Sequence, residues 1–270
     1  MLQTFLAVLH FDGGGFNGWQ RQPTGRSVQS EFERVLERLT GRSAAAHAAG
    51  RTDAGVHAQG LGVSFSLPAH WSPDQTRRAL NALLPPDCWV ERVAPMQPGF
   101  HARKSALSRR YRYDLGTDAA SASPFRRRFE WALARPVDIA ALRVAAAQLH
   151  GEHDFSAFSV RGQPKKHHRS RISLSEWSHR GDARGFSYHV EADRFLHHMV
   201  RMLVGTMVDI GLGRRPPGDM AALLARGDNL ETSPPAPAEG LYFVSASYPA
   251  DCFTISPGAA APLIHAAEAR

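Results

Sequence analysis

The sequence predicts an α+β protein built in two halves. Up to Val93 the apolar residues alternate between the period of a strand and that of a helix, in the order strand, helix, two strands, helix, strand. From Tyr111 to Tyr248 a similar mixture of elements follows, with no repeat in the residues themselves. A chain of 270 residues that is 43% hydrophobic can fill the core of one large domain or two modest ones. The expected organisation is an N-terminal α+β domain over 1–106, a C-terminal α+β domain over 107–256 and a flexible tail over 257–270.

Phe5 to Phe11 reads as the first strand. Ser27 then caps a helix whose apolar positions are Val28, Phe32, Val35, Leu36 and Leu39, ending at Gly41. Leu61, Val63, Phe65 and Leu67 alternate along a strand after the segment Ala49 to Ala58. Ser72-Pro73 opens a second helix with Leu80, Leu83 and Leu84 on its buried face, and Pro85-Pro86 stops it. Trp89 to Val93 is again a strand. In the second half Tyr111, Tyr113 and Leu115 share one face of a strand, and Asp138 caps a helix closed by Gly151. Strands follow around Ile172–Leu174 and Phe186–Val190, then a long helix from Phe195 to Ile210. A short helix at Met220–Leu224, a proline-rich loop at Ser233–Pro237 and a last strand at Tyr242–Tyr248 complete the order.

The net charge is +7, and three lysines (Lys104, Lys165, Lys166) leave 29 of the 32 basic residues as arginine. Arginine forks onto phosphates and stacks on bases, so this bias suits nucleic acid; a genome favouring arginine and alanine codons would produce it too. Two cysteines, Cys88 and Cys252, suit a reducing compartment and cannot build a disulfide framework. The apolar start is broken by His10 and Asp12, so no signal peptide is expected, and the apolar segment from Phe195 to Leu212 contains Arg201 and Asp209, so no membrane span is expected. A cytoplasmic protein is expected.

The segment Gly50-Arg51-Thr52-Asp53-Ala54-Gly55-Val56-His57 sets a carboxylate between two glycines, with Arg51 two residues before it. It reads as a tight loop that either turns the chain or presents Asp53 at the floor of a cleft. Arg201, on the long helix beside apolar neighbours, either reaches past them to water or takes a carboxylate partner such as Asp53. Tyr111 lies between arginines, which places its strand near anions. The tracts Arg126–Arg128 and Arg161–Arg171 are candidate phosphate contacts. Gly13-Gly14-Gly15-Phe16-Asn17-Gly18 matches a dinucleotide fingerprint, but Trp19-Gln20-Arg21 follows where a helix should begin. That loop is better suited to lying against RNA. His167-His168 and His197-His198 lack metal-ligand spacing, and His153-Asp154 with Ser156 lacks a nucleophile elbow. No metal and no cofactor are expected.

The stretch from Gly50 to His57 resembles the signature of the TruA-type tRNA pseudouridine synthases, and so do Gly18-Trp19-Gln20-Arg21-Gln22 and Glu239-Gly240-Leu241-Tyr242. The similarity extends over nearly all of the chain except the last dozen or so residues, while Phe11 and the loop Gly14–Phe16 depart from the family's usual pattern. The resemblance implies the pseudouridine synthase fold, two α+β halves with sheets joined across a central basic cleft, in a homodimer without cofactor. It implies that Asp53 is the nucleophile, attacking either the ribose C1′ or the uracil C6. Tyr111 packs on the target base, Arg201 pairs with the aspartate, Arg51 helps extrude the nucleotide and Leu241 lines the uracil pocket. The implied substrate is uridine at positions 38 to 40 in the anticodon stem-loop of tRNA. A non-catalytic tRNA-binding or folding protein and a synthase acting on another RNA are the alternatives.

Overall fold

The computed structural model describes residues 1–160, 167–181, 184–228 and 230–254, with the backbone of 264–267. Residues 161–166 of the basic stretch 161–171, and the tail apart from that backbone, lie outside the described residues. The chain forms two compact units, Met1–Arg109 with Tyr242–Arg270, and Arg110–Leu241.

The first unit starts with β1 (Leu2–Phe11), followed by α1 (Val28–Thr40), β2 (His47–Ala48), β3 (His57–Pro68), α2 (Pro73–Leu83) and β4 (Cys88–Met96). β1 is antiparallel to both β3 and β4, and the short β2 runs antiparallel to β3. Ser27 and Ser30 form a reciprocal capping box on α1, Ser72 and Gln75 do the same on α2, and Gly41 ends α1 in the left-handed region at φ 69°. The core is aromatic and aliphatic: the ring of Phe65 meets Phe5 at 6.0 Å and Phe32 of α1 at 5.4 Å. Gly60, Gly62 and Ser64 are buried too, so β3 is covered on both faces rather than on the one face its alternation predicts.

The second unit contains β5 (Ser108–Gly116, entering from the first), β6 (Trp131–Ala132), α3 (Ile139–Ala147), β7 (Gly151–Asp154), β8 (Arg169–His179), β9 (Gly185–Ala192), α4 (Met199–Gly211) and α5 (Asp219–Arg226). Its strands run in the order β5-β9-β8-β7, with β6 parallel to β5. The Ser175 hydroxyl donates to the Ala146 carbonyl of α3 at 2.8 Å, and the Trp177 indole N–H reaches Met207 Sδ of α4 at 3.3 Å. The long helix is shorter than its apolar stripe predicts. His198 stands at φ 62°, a conformation that cannot continue a right-handed helix, so Phe195 and Leu196 precede α4 instead of forming its first turn.

The chain then returns to the first unit as β10 (Leu241–Pro249), parallel to β3 with Tyr242 opposite His57. β11 (Ile264–Ala267), within the expected flexible tail, pairs in parallel with β10. Among the described residues no helix is long and apolar enough to cross a membrane.

Candidate functional site

Asp53 sits half-buried in the first unit, at the first position of a turn closed by Val56 N–H donating to the Asp53 carbonyl at 3.2 Å. Gly55 takes the third position at φ 80°, where a Cβ would be strained, which is why a glycine follows Asp53 by two. The approach to the turn is pinned on one side by Ala49 N–H donating to Gly62 O at 2.8 Å. On the other side the Arg109 guanidinium donates to three carbonyls, of Ala49 at 3.2 Å, Ala106 at 3.0 Å and Arg103 at 2.6 Å. Arg51 is exposed.

The glycine-rich loop packs on this turn. Trp19 N–H donates to Thr52 O at 3.1 Å, Gly55 N–H to Phe16 O at 3.3 Å, and Gly13 N–H to His57 Nδ1 at 3.0 Å. A Cβ on Gly13 would overlap the Val56 carbonyl oxygen, and one on Gly18 the Thr52 carbonyl oxygen. The glycines thus allow two backbones to touch, and Trp19 is only 3% exposed. This corrects the expectation that Trp19 lies against RNA; of that trio Gln20 and Arg21 are exposed, and Arg21 bonds Glu33 at 2.5 Å. Arg26 braces the loop, gripping Asp87 at 2.5 and 2.9 Å and Glu31 at 3.0 Å with its guanidinium 4.1 Å from the Phe16 ring centre. His57 is buried and stacks on Tyr242, centres 4.9 Å apart and planes 22° from parallel.

Tyr111, Arg201 and Leu241 belong to the second unit. Tyr111 is buried, with its ring edge-on to Phe195 at 5.0 Å. Two residues on, and so on the same face of β5, Tyr113 donates to Pro237 O at 2.8 Å. Burial, reinforced by the charge of Glu239, pushes the Tyr113 hydroxyl far above its ordinary range, against the opposing pull of nearby Arg201. Arg201 is half-buried; its Nε donates to Ala236 O at 2.7 Å while its own carbonyl accepts from Ala236 N–H at 2.9 Å. A Cβ on Gly240 would stand 2.6 Å from the Tyr113 ring, so a glycine is needed just before the buried Leu241. Tyr113 and Arg201 thus both hold the loop that leads into Leu241, through Pro237 and Ala236.

Other candidates change meaning. Of the arginines flanking Tyr111, Arg112 bonds Asp114 at 3.1 Å, and Arg109, one residue further back, serves backbone carbonyls. Arg126 turns inward to Asp118 and Glu130 at 2.7 Å. Ser156 is held by Asp154 in a local turn. Burial pushes the Cys88 thiol up to about 12, which leaves it inert at neutral pH. Sequence reasoning missed Arg109 and the packing role of His57. His57 lay in view inside the motif, whereas nothing along the chain foretells the three carbonyls that converge on Arg109.

A family model described as tRNA pseudouridine synthase matches residues 7–103 and 145–249, and the chain belongs to that family. It is 40% identical over 243 residues to the tRNA pseudouridine synthase A of Moorella thermoacetica, spanning 89% of this chain and 98% of that one. Against the protein of the same name from Geobacillus kaustophilus it is 38% identical over 262 residues, 95% of this chain and 98% of the other. Against the one from Myxococcus xanthus the figures are 41%, 89% and 90%.

Proposed function

We propose that this protein isomerises uridine to pseudouridine in tRNA, at positions 38 to 40 of the anticodon arm, with Asp53 as nucleophile. The bond from N1 to the ribose C1′ breaks, the detached uracil rotates, and C5 joins C1′; C5 then gives up its proton and N1 gains one. Before this the target base must leave its stack, at a cost of about a few kcal/mol. Stacking on Tyr111 returns about 1–3 kcal/mol of that, and arginine contacts to phosphate supply the remainder. In this reading Arg201 pairs with the aspartate, Arg51 helps extrude the nucleotide, and Leu241 borders the base. Tyr111 also helps to move the C5 proton. The reaction runs on a carboxylate and calls for no metal or cofactor. The protein acts as a homodimer in the cytoplasm.

The observation that carries the reading is the Asp53 turn. The backbone that carries the half-buried Asp53 is fixed by Gly55, by the glycine-rich loop and by the Arg109 bond to Ala49. Positioning of that kind is what a nucleophile needs. Family membership and the names of the relatives support tRNA as the substrate.

The test is Asp53→Asn assayed on an unmodified tRNA transcript. The wild type forms pseudouridine, and the variant forms none while binding the transcript with unchanged affinity. Undiminished turnover by the variant refutes Asp53 as the nucleophile. Mapping modified uridines in cellular tRNA and rRNA, with and without the protein, decides between the anticodon arm and another RNA.

A further inference from the structure

The turn between Ser123 and Phe129 in the second unit is built to hold an aromatic ring in water. Its backbone is closed by Arg126 and Arg127 N–H groups donating to Ser123 O at 3.0 and 2.9 Å, and by Phe129 N–H donating to Arg126 O at 2.8 Å. Beneath it lies a pedestal of ion pairs. Arg126 grips Asp118 through both oxygens at 2.7 and 2.8 Å and meets Glu130 at 2.7 Å, and Glu130, only 2% exposed, also bonds Arg180. Close packing reaches the neighbouring strand, where a Cβ on Gly116 would stand 2.8 Å from the Glu130 carboxylate. On this pedestal Phe125 is 88% exposed, beside the exposed Arg127 and Arg128. The carboxylates of Asp118 and Glu130 already face Arg126 and Arg180, so the turn as a whole carries surplus positive charge.

We propose that Phe125 is a stacking platform for an unpaired base of the tRNA, with Arg127 on the adjoining phosphate. An exposed ring with a cation beside it matches the two faces every nucleotide offers, a flat base and a charged backbone. A second protein copy is the poorer fit: a stable interface covers about 800 Å² on each partner, far more than one ring, and positive charge repels its own copy. The site rests on the tRNA reading above and adds a contact separate from the Asp53 and Tyr111 residues.

The experiment measures the Kd of the full-length protein for an unmodified tRNA transcript, together with kcat and KM for pseudouridine formation. Phe125→Ala and Phe125→Leu are expected to weaken Kd about 5- to 150-fold and to raise KM with kcat unchanged. Phe125→Trp keeps the affinity, and tRNA quenches its extra fluorescence beyond the quenching seen in the wild type. Arg127→Ala lowers the slope of log Kd against log salt by about 0.7–0.9. A Phe125→Ala variant with wild-type Kd overturns the proposal, and so does one whose only change is in sedimentation. Failure of the catalytic reading appears separately, as absent turnover in the wild type, while the Kd comparison still decides for Phe125.

Discussion

Replacing Gly18 with alanine tests whether the glycine-rich loop is the mould of the Asp53 turn. Gly18 stands at φ 83°, where an alanine costs about 1–2 kcal/mol. The new Cβ would overlap the Thr52 carbonyl oxygen and stand 3.0 Å from the Asp53 carbonyl carbon and 3.2 Å from the Ala54 nitrogen. All three are backbone atoms, so the loop must lift, and the 3.1 Å bond from Trp19 N–H to Thr52 O goes with it, worth about 1 kcal/mol. The total expected loss is about 2–4 kcal/mol. Gly41→Ala is the control: it has φ 69° but nothing within 4 Å of its Cβ, so only the conformational cost of about 1–2 kcal/mol applies. Urea unfolding followed by circular dichroism compares the two, and pseudouridine formation by folded Gly18→Ala should fall through kcat as the turn shifts. If Gly18→Ala is no more destabilising than Gly41→Ala, the two loops do not depend on each other as described.

Asn81→Ala should cost about 2 kcal/mol, since the Asn81 amide both donates to Val90 O at 2.8 Å and accepts from Val90 N–H at 2.7 Å; urea midpoints check this, and an unchanged midpoint refutes it. Burial raises the hydroxyls of Tyr113, Tyr188 and Tyr248 above their ordinary 10.0, so the folded state keeps protons that the unfolded chain loses. Stability is therefore full below pH 10 and lost as pH rises beyond it, and ultraviolet titration should find these three of the five tyrosines silent until the chain unfolds. All five titrating together in the folded protein would contradict it. Burial, then the charges of His47, Lys104 and Arg103, hold His101 below 6.5. The unfolded chain takes up that proton first, so stability present above pH 6.5 is lost as pH falls, and His101→Gln should flatten that part of the profile. A profile as steep in the variant as in the wild type would refute it.

The fold was legible wherever local chemistry decides it. Ser27, Ser72 and Asp138 cap helices as their sequence contexts predict, and Gly41 ends one. The long helix misled because Phe195 and Leu196 continue its apolar stripe, and the left-handed turn at His198 has no sequence signal. At the candidate site the glycines flanking Asp53 foretold a turn. The glycines at 13 and 18 read as a ligand-facing loop because their reason, contact with a backbone some forty residues away, is tertiary. Arginine was ambiguous for the same cause: Arg112 and Arg126 look like anion binders in sequence and prove to bond the protein's own carboxylates.

β10 returns to the unit formed by the first 109 residues, after an uninterrupted excursion from Arg110 to Leu241. During synthesis the unit holding Asp53 is therefore made in two instalments, and its sheet is not whole until β10 and β11 have followed. A chain halted before Leu241 would lack both β10 and β11, and the unit made first would be the one left unfinished.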